Sequence, residues 1–135
     1  MRAVFDTNVL VSAFLAEGLC AKLLVRANRR EFTLLTGSVL LAEFEAVLRG
    51  KMGASESHLR EAVALLREIS EFVEKAEWPA RRLPGLRDPD DEAVWGFAVS
   101  VRADILVTGD RDFLDLKSPR RPRIISPRDF ERLFF

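Results

Sequence analysis

The sequence predicts an α/β protein, a three-layer α/β/α sandwich around a central parallel sheet. Two observations carry that expectation. Short apolar runs recur along the chain, at Ala3-Val4-Phe5, Phe32-Thr33-Leu34-Leu35, Ile105-Leu106-Val107-Thr108 and Ile124-Ile125. Longer stretches of helical periodicity separate them, and alternation of this kind builds parallel sheets covered on both faces. The 135-residue length suits one compact domain. No repeat, linker or low-complexity segment divides it, so residues 1–135 read as a single unit.

Taken in order, the first run ends at Asp6-Thr7-Asn8, a strand stopping in a polar turn. Val9 to Leu15 follows as a helix capped by Thr7 or Asn8. Ala21 to Arg30 is a second helix, with Leu23, Leu24 and Ala27 on one face. The Phe32–Leu35 strand is bounded by Gly37, and Ser38 opens a helix to about Arg49 with Leu40, Leu41, Phe44, Val47 and Leu48 as its apolar stripe. Ser55 to about Ser70 is a longer amphipathic helix, and Phe72-Val73 marks a short strand. A basic loop from Pro79 to Pro84 leads to Arg87-Asp88-Pro89-Asp90-Asp91 and a helix reaching about Arg102. After the Ile105–Thr108 strand comes Gly109-Asp110-Arg111-Asp112, and after Ile124-Ile125 a final helix opens at Pro127 and ends near Phe134.

Composition narrows the chemistry. One cysteine, Cys20, leaves no internal disulfide framework. The single histidine, His58, removes most zinc sites and argues against Ser-His-Asp or Cys-His catalysis. It lies in a polar helical stretch and reads as a surface residue. No apolar run approaches the roughly 20 residues of a membrane span, and an acid at position 6 interrupts any signal peptide. A cytoplasmic location with no membrane role is the expectation.

The acids are the informative feature. Asp6 directly follows the first strand, and Asp110 follows the Ile105–Thr108 strand after one glycine. In a parallel sheet both fall at the carboxyl edge, where such sheets bind ligands. Asp91 opens a helix that starts near that edge, and Glu43 lies one turn into its helix, able to reach back. Taken singly, each has a plainer role: Asp90 and Asp91 as helix caps, Asp110 and Asp112 as an Asx turn, Glu43 as a solvated helix residue. Together, converging carboxylates raise one another's pKa or recruit a cation. An oxygen-only site suits a hard divalent ion, which activates water in phosphodiester hydrolysis.

These segments resemble the motifs of the PIN domain family. Val4-Phe5-Asp6-Thr7-Asn8-Val9-Leu10 is similar to its opening strand and acid, and Leu41-Ala42-Glu43-Phe44-Glu45-Ala46-Val47-Leu48 to its second acidic motif. Arg87-Asp88-Pro89-Asp90-Asp91-Glu92 resembles the third and Asp104 to Phe113 the fourth; Ile124 to Phe130 resembles the closing strand and helix. The resemblance implies a PIN-like fold and, in the branch similar to VapC-type toxins, a Mg2+- or Mn2+-dependent endoribonuclease paired with an antitoxin and often dimeric. By the same resemblance Asp6, Glu43, Asp91 and Asp110 are the catalytic acids, with Asp6, Asp91, Asp110 and Asp112 toward metal and Asn8 and Thr108 as supporting polar residues. The third motif offers three aspartates; Asp91 is chosen because it faces the sheet, which leaves Asp88 to cap or brace the loop.

A nuclease must hold a polyanion, yet 21 basic residues balance 21 acidic ones. Attraction must then be local. Arg111, Lys117, Arg120 and Arg121, with Arg123, are the expected RNA contacts beside the acids; Arg26, Arg29 and Arg30 form another cluster, and Arg81, Arg82 and Arg87 a third. Trp95 reads as core, Trp78 as surface or interface, and Phe134-Phe135 as exposed aromatics able to anchor a dimer or an antitoxin peptide. Two other functions compete. A haloacid-dehalogenase-like phosphatase needs a second acid two residues after its nucleophile, where this chain has Asn8. A silent PIN-like scaffold has no need for four uncompensated acids.

Overall fold

The computed structural model describes residues 1–74, 83–116 and 121–135. Five strands, β1 (Arg2–Phe5), β2 (Thr33–Gly37), β3 (Glu71–Val73), β4 (Ile105–Val107) and β5 (Arg123–Ile125), form one sheet in the order β3-β2-β1-β4-β5. Every pairing is parallel. The helices are α1 (Thr7–Leu15), α2 (Leu19–Asn28), α3 (Ser38–Gly50), α4 (Glu56–Ile69), α5 (Pro89–Ser100), α6 (Arg111–Leu114) and α7 (Pro127–Arg132).

Alternation along the strands explains the layers. Ala3 and Phe5 of β1 face a core built with α1, α2, α3, α4 and α7; Val4 faces a second core with Leu40 and the side chains of α5. Both faces of the sheet are thus covered, which is why its strands are short apolar runs rather than alternating ones. The expected α/β/α sandwich is the observed one.

Side-chain caps set the helix starts. The Ser55 Oγ accepts from His58 N at 3.1 Å, and the Ser126 Oγ from Asp129 N at 3.1 Å. Asp88 Oδ1 accepts from Asp90 N at 2.9 Å, with Pro89 at the first helical position. Gly37 ends β2 because nothing larger fits: an added Cβ would stand 2.6 Å from both the Val73 carbonyl oxygen and the Phe97 ring.

Several expectations need correction. Helix α1 starts at Thr7 and is capped by Asp6, not by Thr7 or Asn8. Strand β2 runs Thr33–Gly37, two residues beyond its expected end, because Thr36 and Gly37 stay buried in the sheet. Helix α6 was not expected at all; its four residues are too few for periodicity to register. Phe134 is not exposed. It packs against Phe32 and Phe130 at centroid distances of 5.8 and 5.3 Å, with the Arg26 guanidinium 4.8 Å above its ring. Phe135 is open, at 89% exposure. Trp95 is core, as expected, and its Nε1 is buried with no hydrogen-bond partner among the described residues. His58 is exposed. Trp78, Arg81 and Arg82 lie outside the described residues.

Candidate active site

Sheet register brings the first two acids together. β1 and β4 are neighbours with Phe5 opposite Val107, so Asp6 and Thr108 leave the carboxyl edge side by side. Asp6 N donates to the Val107 carbonyl at 2.9 Å. The carboxylate of Asp6, only 5% exposed, is held from both ends. Its Oδ1 accepts from Thr7 N at 2.7 Å and its Oδ2 from the Thr108 hydroxyl at 2.8 Å. Burial raises the Asp6 pKa and these two bonds oppose the rise, with the Asp110 charge adding to it.

Thr108 links two acids. Its fully buried hydroxyl donates to Asp6 and accepts from Asp110 N at 3.0 Å. Asp110 caps α6, its Oδ1 accepting from Asp112 N at 2.9 Å, so the Asx turn and the site coincide. Glu43, on α3, receives the Thr7 hydroxyl at 2.9 Å. Burial raises the Glu43 pKa; the Thr7 bond lowers it, and Asp6, Asp90 and Asp88 raise it further.

Asp91 shows the electrostatic character of the place most clearly. Its carboxyl is pushed up to about 7, first by burial and then by the charges of Asp110, Asp6, Asp88 and Asp112. Among the described residues, no cation is among the causes that shift Asp6, Glu43 or Asp91. Asp91, Asp110 and Asp112 each offer an oxygen, all within 4.8 Å of one another. Three hard oxygen donors with a surplus of negative charge fit a divalent cation of the magnesium type.

The structure therefore gathers Asp6, Glu43, Asp91, Asp110, Asp112 and Thr108 at one edge. Asn8 is exposed and makes no hydrogen bond to the acids among the described residues. Thr7, buried at 1% exposure, is the polar residue that joins Asp6 to Glu43. Sequence reasoning assigned it only a capping role; its place directly after the strand-end acid was the available signal. Arg111 is near the acids, its side chain 82% exposed and 3.6 Å from Asp115. Lys117 and Arg120 lie outside the described residues. Arg121 is not brought to the acids. It pairs with Asp104 at 2.8 Å at the opposite, amino edge of the sheet, because it precedes β5 rather than following it.

A family model described as PIN domain matches residues 2–112. The chain belongs to the PIN domain family. That family consists of nuclease-type hydrolases that are in general divalent-metal dependent, in keeping with the acid cluster of this PIN domain. Among solved structures, the fold is similar to a chain in the crystal structure of VapBC2 from Rickettsia felis bound to a DNA fragment from their promoter. The likeness has a TM-score of 0.65 at 16% identity and covers 93% of this chain and 98% of that one. No curated protein matches this PIN domain.

Proposed function

We propose that the chain is a Mg2+- or Mn2+-dependent endoribonuclease, the toxin of a toxin–antitoxin pair, working as one domain over residues 1–135 in the cytoplasm. The observation that carries this is the cluster itself: Asp91, Asp110 and Asp112 offer oxygens within 4.8 Å of one another, where burial and then the neighbouring acids push Asp91 up to about 7. Such an arrangement is costly to a fold and useful to a metal site.

Asp91, Asp110 and Asp112 would hold the ion, with Asp6 completing the set. Bound there, it would supply Lewis acidity toward a phosphodiester and activation of water. The remaining steps belong to this chain's own residues. Thr108 and Thr7 N fix Asp6 so that it need not reorganise when charge develops. Thr7 orients Glu43, whose carboxyl burial raises above its ordinary 4.5, toward a role in moving a proton. Arg111, exposed beside the acids, is placed to meet a backbone phosphate.

Two findings support the pairing with an antitoxin. The VapBC2 neighbour is itself a complex. An apolar groove of about 620 Å3, lined by Phe14, Leu15, Leu48, Met52 and Leu65, offers an apolar peptide a seat. No single helix among the described residues is long and apolar enough to cross a membrane. We propose a homodimer as the working form, on family grounds.

Cleavage of single-stranded RNA tests the reading. The wild type should cut with Mg2+ or Mn2+ and stop with chelator, and Asp6→Asn should be inactive with an unchanged circular dichroism spectrum. Undiminished cutting by that variant would sink the assignment. Expression of the chain alone should arrest growth, and Asp110→Asn should lift the arrest; a harmless wild type would remove the toxin role.

A further inference from the structure

The acids fill the carboxyl edge of the sheet, and the opposite edge is rich in arginine. Arg2 opens β1 and Arg123 opens β5. Arg29 and Arg30 follow α2 just ahead of β2, and Arg102 follows α5 just ahead of β4. Three acids at this edge are paired: Glu71 with Arg2 at 3.7 Å, Asp104 with Arg121 at 2.8 Å, Glu31 with Arg26 at 2.7 Å. Arg29, Arg30, Arg102 and Arg123 are exposed and have no ion pair among the described residues.

Backbone conformation singles out two of them independently. Arg30 (φ 61°) and Arg102 (φ 56°) are the non-glycine residues with positive φ among the described residues. Each closes a helix with the same pair of back-bonds. Arg30 N donates to Ala27 O and Glu31 N to Arg26 O, both at 3.0 Å; Arg102 N donates to Val99 O at 3.1 Å and Ala103 N to Ala98 O at 3.0 Å. Glycine ordinarily takes this left-handed position, because a Cβ there crowds the backbone. The helix dipole favours a cation at a helix C-terminus, but an arginine in the last turn would serve that end without strain. Arg30 Nη1 reaches the Ile69 carbonyl at 3.4 Å, whereas the Arg102 guanidinium has no hydrogen bond or ion pair among the described residues; strain kept twice with the same side chain points to a use beyond closing a helix. β2 and β4 flank β1, so the chain passes from Arg30 and from Arg102 into the two strands on either side of the one that Arg2 opens.

We propose that this amino edge is a second, non-catalytic nucleic-acid surface, on which Arg29, Arg30, Arg102 and Arg123 hold a phosphodiester backbone. Four guanidiniums, each a planar fork of donors, match phosphate oxygens in pairs. A net charge of zero does not oppose this, since local clusters of arginines, unpaired among the described residues, set the field that a ligand meets. The surface does not depend on the cleavage reading, because it lies away from Asp6 and Asp91.

Fluorescence anisotropy in chelator tests it, with fluorescein-labelled oligouridine and oligothymidine of one length, at several salt concentrations. The double variant Arg30→Gly/Arg102→Gly should melt at the same temperature or higher, because it relieves two strained residues. It should bind oligouridine at least about tenfold more weakly, with a salt slope shallower by about 0.7 for each phosphate no longer neutralised. Arg123→Gln, which leaves both helix ends intact, should weaken binding in the same direction. Equal weakening for both oligonucleotides assigns the surface to the backbone shared by RNA and DNA; weakening for oligouridine alone assigns it to RNA. Unchanged binding by the folded variants would reduce the arginines to helix caps and overturn the proposal. Labelled polyglutamate bound as tightly as oligouridine would overturn it too, in favour of an acidic protein partner.

Discussion

Thr108 shows how one hydroxyl can organise several charges. It donates to Asp6 and accepts from Asp110 N, so a fully buried side chain joins the ends of two features of the site. Thr108→Val keeps the shape and removes both bonds. It should cost about 1–3 kcal/mol in thermal unfolding, the usual cost of stranding buried polar groups. The concentration of Mg2+ needed for half-maximal cleavage should rise on the order of 10–100-fold, as when a residue that orients a metal ligand is removed. Asp91 makes the opposite case, a charge the fold tolerates at a cost. Its folded pKa, about 7, lies above the ordinary 3.8, so folding disfavours the charged form. The penalty is absent below pH 3.8, grows as pH rises, and is complete above about 7. Metal-free wild type should therefore lose stability across that window, and Asp91→Asn should flatten the decline. Because Asp91 is only half-buried, screening trims the gain at pH 8 to about 1 kcal/mol. A Tm that is flat with pH in chelator would contradict this. Asp6 and Asp110 were legible in the sequence because strand ends leave little freedom, whereas Thr7 was not, since a threonine at a helix start has an ordinary capping use.

Elements carry the site through their ends. α1 begins at the capping Asp6 and α6 at the capping Asp110, so two acids of the cluster are also helix caps. Periodicity revealed the long helices well, because α3 and α4 run for 13 and 14 residues with clear apolar stripes. It missed α6, whose four residues complete barely one turn. It also misread Phe134, whose burial depends on α7 folding back onto α2, a meeting of residues far apart in sequence. That meeting is fastened by Arg26, which reaches both Glu131 oxygens at 2.6 and 2.9 Å. The Arg26 guanidinium holds the Glu131 pKa below its ordinary 4.5. The stabilisation is present above pH 4.5 and is lost as pH falls through the lowered folded value. Glu131→Gln should lower the Tm at pH 7, and the gap to wild type should close in strong acid. An equal gap at both pH values would mean that packing, not charge, holds α7.

At the scale of the molecule, polarity is the organising feature. Balanced composition hid it: 21 basic and 21 acidic residues suggest no field, yet the carboxyl edge gathers the acids of the candidate site and the amino edge carries arginines unpaired among the described residues. Sequence reading placed Arg121 and Arg123 beside the acids by their closeness to Asp112 in the chain. Parallel topology reverses that, since a crossover returns the chain to the amino edge before β5 begins. The acidic edge was legible because Asp6 and Asp110 follow strands and Asp91 opens a helix, whereas Glu43, one turn into α3, depended on helix phase. The central claim is that this edge holds a divalent cation. Calorimetric titration of Mn2+ into the metal-free protein tests it most directly. The wild type should show saturable binding, and Asp91→Asn, with an unchanged circular dichroism spectrum, should bind markedly more weakly. Equal affinity in the two proteins, or no binding by the wild type, would contradict the account.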